Sequence, residues 1–338
     1  MQRAVRKAVS MEKRDILFLC QFFYPDHNSS ATLPFDTACS LASRGFTVDA
    51  MVGYPKEYTE GCGVPLRETV QGVGIRRVRY LQFKRSGTLG RLINYFSLTF
   101  HMLLRLRVLK RYRCVFVYSN PPVLPLVPIL ARRRFGTEFV FVAYDVYPEV
   151  AYASGTLSPD SAISRVMSRL NRALYRNAGA VVALTDEMRA FLLAHRPELD
   201  AERIVTIANW AHEKRRLPDA EAYARFGYPE GQFVVSYFGN MGTCAPSKYY
   251  SYLQGGMPVL AVVERESYLA AEVEGERIGH AVEIGDAAGL RDAILALAED
   301  PARCREMGER ALSLYESRYA YEVAMEQYRA LAEKVLRR

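Results

Sequence analysis

The chain has 338 residues, half of them hydrophobic, which is long enough for two domains each with its own core. Six cysteines (20, 39, 62, 114, 244 and 304) show no CxxC spacing or regular framework, which excludes a disulfide scaffold and suits a reducing compartment. The net charge of +8 is concentrated: Thr69–Thr137 holds fourteen of the 45 Lys and Arg and no Asp or Glu, leaving 31 basic against 37 acidic residues elsewhere. The composition therefore describes a slightly acidic globule with one basic face, which would attract anionic lipid, nucleic acid or a phosphorylated substrate.

Met1–Arg14 is basic, lacks the apolar run of a signal peptide and reads as a disordered extension. Asp15–Cys20 reads as the first strand of a parallel sheet, followed by a loop Gln21–Thr32, a helix to about Arg44 and a strand Thr47–Val52. The loop sits at a strand's carboxyl end, where open α/β sheets bind ligands; its Ser and Thr would equally serve as helix caps. His27 in that loop has no paired Asp or Cys at a useful spacing and reads as solvated. Ile75–Tyr80 is strand-like. Leu92–Leu104 carries no charge and is flanked by Arg91, Arg105, Arg107, Lys110, Arg111 and Arg113. Thirteen residues are too few to span a bilayer, so the segment is either an interfacial helix or a buried crossover helix with solvated ends. Cys114–Tyr118 and Phe139–Ala143 are strands, with an apolar helix from Pro121–Pro122 to Leu130 between them. Asp145 lies just past the second of these strands, where it could do acid–base or electrostatic work or merely form an Asx-turn. Ser161–Asn177 reads as a helix with Ile163, Val166, Met167, Leu170 and Leu174 on one side. Ala180–Ala183 is a strand, Thr185 caps the next helix, Ile204–Ile207 ends the first domain, and the charged segment His212–Gln232 reads as a linker.

The second half opens with a buried-strand pattern, Phe233–Phe238, and a Gly239-Asn240-Met241-Gly242 turn whose backbone could approach a phosphate. Pro246-Ser247-Lys248, a helical stretch Tyr249–Gln254, a Gly255-Gly256 stop and a strand Pro258–Val262 follow. Residues Pro246, Ser247, Lys248, Tyr250, Tyr252, Leu253, Gly256, Pro258, Val259 and Ala261 resemble the Pro-Ser-Lys pattern of retaining group 1 (family four) GT-B-fold glycosyltransferases. In that family the Gly-Asn-x-Gly turn and the Pro-Ser-Lys pattern lie far apart. Here they are nearly contiguous, as though two or three βαβ units, roughly 60–90 residues, were missing between Met241 and Ala245. His280–Glu283 suggests a short strand, and helices follow at Ala287–Glu299, Pro301–Tyr315 and Ala320–Arg337.

The resemblance extends to the first half. Phe23-Tyr24-Pro25 through Thr32 is similar to the family's first loop, which implies that Asn28, Ser29, Ser30 and Thr32 touch the donor diphosphate or the acceptor. Asp145-Val146-Tyr147-Pro148-Glu149 resembles an Asp-x-Trp/Tyr-Pro-Glu pattern, implying that Asp145 is catalytic near the transferred sugar and that Glu149 supports the loop or acceptor. Gly239, Asn240, Gly242, Ser247, Lys248 and Ser251 fall on the donor-binding positions. The family's two donor glutamates are replaced by Thr243 and Ser251. Lys248 is left as a point-charge partner for phosphate, or as a solvated Lys on a helix's first turn.

The expected architecture is α/β, GT-B-like, with two Rossmann-type domains on parallel sheets, the second shortened. Domain one covers 15–208, a linker 209–232, the shortened nucleotide-sugar domain 233–319, and a helix at 320–338 returns to the first domain. The resemblance implies transfer of a sugar, with retention and no metal or other cofactor, from a nucleotide-diphosphate donor to a glycan or lipid-linked acceptor in surface-polysaccharide synthesis. Its partners would include an anionic membrane surface, met through Lys84–Arg113 on the cytoplasmic face, and no nucleic acid. The alternative is a non-catalytic, internally deleted relative that docks on a membrane or partner. No P-loop, His-Glu-x-x-His, Gly-x-Ser-x-Gly or GxGxxG motif points to other chemistry.

Overall fold

The computed structural model describes residues 13–55, 63–83, 88–211, 221 and 247–338, apart from the side chains of residues 88, 89 and 247. These residues fall into two compact units. One lies within Met1–Ala183, Leu192–Val205 and Arg329–Arg338, the other within Leu184–Phe191 and Thr206–Tyr328.

The first unit is built on an eight-stranded sheet. In chain order the strands are β1 (Arg14–Cys20), β2 (Val48–Gly53), β3 (Arg67–Val70), β4 (Val73–Val78), β5 (Tyr112–Tyr118), β6 (Glu138–Ala143), β7 (Ala180–Ala183) and β8 (Ile204–Thr206). Across the sheet they run β3-β4-β2-β1-β5-β6-β7-β8. The central pairings from β4 through β7 are parallel, and the β3–β4 hairpin is antiparallel. Strands covered on both faces have no need to alternate polar and apolar residues, which is why β1, β5 and β6 read as unbroken apolar runs. Phe18 and Phe116 are register partners on β1 and β5, and their rings stack with centroids 5.1 Å apart.

The helices are α1 (Ser29–Ser43), α2 (Thr88–Leu103), α3 (Leu106–Leu109), α4 (Leu126–Phe135), α5 (Glu149–Ala153), α6 (Ala162–Asn177) and α7 (Asp186–His195). Three expectations change here. Arg14 belongs to β1 rather than to the extension, of which residues 1–12 lie outside the described part. Helix α1 begins at Ser29, so Ser29, Ser30 and Thr32 occupy its first turn instead of a loop. Helix α4 begins at Leu126 instead of Pro121, because prolines at 121, 122 and 125 withhold N–H donors and leave single turns such as Leu124 N–H to Pro121 O. The hairpin strand β3 was not anticipated; its sequence, RETV, is polar and only half-buried. On α6 the anticipated apolar side is buried only towards its carboxyl end, at Leu174, with Met167 and Leu170 half-buried. Ile163 and Val166 are exposed, while Ser164, Asn171, Leu174 and Tyr175 pack inward.

The basic segment is not all surface either. Arg77 is buried, ion-paired with Glu68, and donates to Pro65 O at 2.7 Å and Tyr24 O at 2.8 Å. Arg113 pairs with Asp15 and Arg132 with Glu138.

In the second unit α8 (Ser247–Gln254) leads into β9 (Val259–Val262), α9 (Tyr268–Gly275) and β10 (Gly279–Val282). The chain continues through α10 (Ala287–Glu299), α11 (Pro301–Leu314), a π-helical turn Tyr315–Tyr319 and α12 (Tyr321–Leu336). Strands β9 and β10 pair in parallel. Gly256, at φ 63°, ends α8 in the left-handed conformation that turns the chain into β9. Tyr249, Tyr250, Leu253, Val273, Ile278 and Ala311 form the core. Trp210 packs edge-on to Tyr321 and Tyr328. The last helix ends in the first unit, where Lys334 donates to Glu202 O and Arg338 to Gly179 O. The expected linker 212–232, apart from Glu221, the strand 233–238 and the turn 239–242 lie outside the described residues.

Candidate functional site

The strand order reverses direction at β1. The chain moves outward from β1 to β2 and β4, then returns to place β5 on the other side of β1. The loops after β1 and β5 therefore flank the topological switch point, where open parallel sheets bind ligands. The loop after β6 is next to them.

After β1, Gln21 is buried and its amide donates to Tyr80 Oη at 3.3 Å. A Cβ on Gly53, at the end of β2, would stand 2.5 Å from the Gln21 carbonyl, so glycine is required there. The loop is fixed by the Arg77 donation to Tyr24 O and by Tyr24 and Phe23 packing on Phe35. Asn28 is the N-cap of α1, and its carbonyl accepts from the N–H groups of Ala31 and Thr32 and from Thr32 Oγ1. Its side chain makes no cap bond. Both Asn28 Oδ1 and Nδ2 are shut off from solvent, with no hydrogen-bond partner among the described residues. A group left in that state costs about 1–3 kcal/mol, so the Asn28 amide is placed to take a water or a ligand as its partner. Ser29 is exposed and Ser30 half-buried.

After β5 and β6 the geometry is tighter. Ser119, buried at the end of β5, accepts through Oγ from Tyr144 N–H at 3.1 Å and from Asp145 N–H at 3.0 Å. The Tyr118 and Tyr144 rings lie 5.1 Å apart beside this clamp, and Asn120 Oδ1 is buried without a partner among the described residues. Asp145 is half-buried, and loss of solvent raises its carboxyl above the ordinary value. The neighbouring Tyr147 phenol is pushed up by burial, then by the Asp145 carboxylate and Tyr95, with Arg91 acting in the opposite sense. The start of α2 therefore shares the electrostatic environment of the Asp145 loop.

Glu149 opens α5 and is held by Arg196 at 2.6 Å, with Arg196 lying over the Tyr175 ring. The Tyr147 carbonyl accepts from Asn171 and, at 3.5 Å, from Arg196. Glu149 thus braces the loop that carries Asp145. Two open depressions, of about 780 and 690 Å³, lie away from this loop.

In the second unit Lys248 is exposed on the first turn of α8 and Ser251 is half-buried. Gly239, Asn240, Gly242 and the Ser247 side chain lie outside the described residues. Sequence reasoning missed a cage that begins at Tyr249, the residue after Lys248. The buried Glu272 carboxylate accepts from Tyr249 Oη at 2.7 Å, from Tyr268 and Tyr319, and from Arg318 at 3.1 Å. Burial, then Glu272, pushes the Tyr249 phenol well above its ordinary range.

Residues 35–210, just over half of the chain, match the model of the "Glycosyl transferase 4-like domain". The chain belongs to that family. A curated relative, the "Probable glycosyltransferase WbjE" of Pseudomonas aeruginosa, is 32% identical over 200 residues, covering 58% of this family member. The match takes in 45% of WbjE, so the chain spans less than half of that relative's length. Solved structures share the fold at 14% identity. Sucrose-phosphate synthase from Thermosynechococcus elongatus superposes with a TM-score of 0.67, covering 96% of this chain and all of that one. WaaG, "a glycosyltransferase involved in lipopolysaccharide biosynthesis", gives 0.63 over 93% and 98% of the two chains. Anabaena Alr3699/HepE in complex with UDP gives 0.62 over 96% and 99%. These likenesses establish the fold as GT-B-like.

Proposed function

We propose that the chain is a retaining glycosyltransferase that moves a sugar from a nucleotide-diphosphate donor to a glycan or lipid-linked acceptor in surface-polysaccharide synthesis. The observation that carries this is the Ser119 clamp, which fixes a half-buried Asp145 at the end of β6, one strand from the switch point. A carboxylate raised by burial is a stronger base and stabilises positive charge without solvent competition. In this reading Asp145 meets the developing sugar cation or the acceptor proton. Asn28 and the first turn of α1 face the diphosphate or acceptor, and Lys248 offers a point charge to phosphate. HepE, a protein of like fold, has been captured with UDP and with UDP-glucose, which supports a nucleotide-sugar donor.

The same reading places the protein on the inner face of the membrane through the Lys84–Arg113 region. No helix among the described residues is long and apolar enough to cross a membrane. Phe96 and Phe100 of α2 nevertheless stand 57% and 58% exposed between Arg91 and Arg105, which suits a helix in the headgroup layer.

A second reading rests on the near contact in sequence of Gly242 and Pro246 and on Thr243 and Ser251 in place of glutamates. A chain so shortened would dock without catalysing. Calorimetric titration with UDP, GDP and their sugar derivatives separates the two. Micromolar binding weakened by Lys248→Ala supports the transferase, and a folded protein that binds none of them supports the docking relative.

A further inference from the structure

Helix α4 runs from the carboxyl end of β5 back to the start of β6, and α3 immediately precedes β5. Their meeting point therefore lies at the amino end of the sheet, opposite the Asp145 loop. There an open groove of about 690 Å³ is lined by Leu103, Leu106, Leu130 and Phe135 together with Arg107, Arg133 and Arg134. The four apolar side chains are half-buried and the three arginines exposed. Among the described residues no carboxylate pairs with any of the three, whereas Arg132 beside them is taken by Glu138. The Arg134 guanidinium lies 5.7 Å from the Phe135 ring centroid, so its charge sits against an apolar surface.

Leu104, 67% exposed, also lines the groove. It continues the row formed by Phe96 and Phe100 at four-residue spacing on one side of α2. An apolar strip about 12 Å long thus leads along α2 into three positive charges that no described carboxylate pairs. A free inorganic anion would be held by the arginines alone and would gain nothing from leucines and a phenylalanine. An amphiphile uses both.

We propose that this groove holds the phosphate of an anionic membrane phospholipid, with Arg107, Arg133 and Arg134 on the phosphate and Leu103, Leu130 and Phe135 against the first methylenes of its chains. This lipid is a docking ligand, not the acceptor, because it lies at the end of the sheet away from Asp145. The inference rests on the membrane-surface part of the reading above and is independent of the transferase part.

The test is flotation of the full chain with phosphatidylcholine vesicles that contain or lack phosphatidylglycerol, comparing two double variants that remove equal charge. Each basic residue near an anionic surface contributes about fivefold to partitioning, so diffuse attraction gives both pairs the same loss of at most about thirtyfold. The groove predicts that Arg133→Gln/Arg134→Gln loses more than this, while Lys110→Gln/Arg111→Gln loses less. Equal losses in the two pairs would overturn the groove and leave membrane binding intact. Suppression of the wild-type interaction by millimolar inorganic phosphate would show an ion site and overturn the lipid assignment. No binding to either vesicle would sink the groove together with the membrane reading.

Discussion

Ser119 Oγ accepts the Asp145 backbone N–H at 3.0 Å and the Tyr144 N–H at 3.1 Å, so one buried hydroxyl on β5 fixes the first two residues after β6. Ser119→Ala strips both amides of their acceptor while changing little volume. Unsatisfied buried amides cost about 1–3 kcal/mol each, so urea unfolding should show a loss of at least about 1–3 kcal/mol. If Asp145 must be held in place to act, transfer should fall further than the lost folded fraction explains. An unchanged unfolding midpoint would show that water replaces the hydroxyl and that the clamp is dispensable.

Asp145→Asn tests the carboxylate itself, and its effects on stability and turnover run in opposite directions. Burial holds the folded-state value above the ordinary one, so folding disfavours the ionised form. That penalty is absent below the ordinary carboxylate value, where both states are protonated, and complete above the raised folded value. Asparagine should therefore raise the melting temperature near neutral pH, with a gain that vanishes as pH falls through the carboxylate range. Turnover should collapse, and the acid limb of the wild-type rate profile should be shifted upward from the ordinary Asp value. A variant that melts lower at neutral pH would contradict burial as the cause of the shift.

The brace behind that loop can be measured separately. Arg196 is 12% exposed and Glu149 35%, which places their ion pair between the surface and buried limits. A double-mutant cycle of Glu149→Gln and Arg196→Met should return a coupling of about 1–2 kcal/mol. A coupling near zero would return Glu149 to the role that the sequence resemblance left open, a contact with the acceptor.

What the residues disclosed in advance follows from which interactions are local. Buried parallel strands show themselves as apolar runs, so β1, β5, β6 and β7 were legible, and with them the position of Asp145 at a strand end. The Ser119 clamp was not, because it depends on the register that sets Tyr118 beside Val142 across two strands. Charge counting placed Arg77 on the basic face, yet only the fold reveals that Glu68 and two carbonyls hold it inside. The Glu272 cage draws tyrosines from 249, 268 and 319, positions no spacing rule connects. The first turn of α1 was misread as loop because its Asn-Ser-Ser is as common in turns as at helix starts.

Within the second unit, Glu272 should matter to stability more than any other polar residue of its core. Glu272→Leu deprives the Tyr249, Tyr268 and Tyr319 hydroxyls of the acceptor they share, while the half-exposed Arg318 keeps solvent and Glu276. Buried hydroxyls left without an acceptor cost about 1–3 kcal/mol each, so the loss should reach about 3–5 kcal/mol. Tyr249→Phe, which deletes one of several donors, should cost only about 1–2 kcal/mol. Chemical unfolding followed by tyrosine fluorescence reads both, and a larger loss for Tyr249→Phe would locate the strength of the cage in α8 instead.

The exposed row on α2 gives the last expectation. Asn94 clamps the Phe83 backbone and Ser97 accepts from Leu81 N–H, so α2 is fastened on its inner side while Phe96 and Phe100 point outward. Side chains more than half exposed, with Phe100 meeting only the edge of His101 among the described rings, can be removed with little loss of stability. Phe96→Ser and Phe100→Ser should leave thermal unfolding within about 0.5 kcal/mol of the parent. Inserting an aromatic side chain into the headgroup layer contributes on the order of 1–2 kcal/mol, so each substitution should cut vesicle partitioning about tenfold. The loss should persist at high salt, which screens the arginines and not the apolar contact. Should the serine variants melt lower and still bind vesicles, the row would instead be packing within the protein, and the basic residues alone would carry any attraction to the membrane.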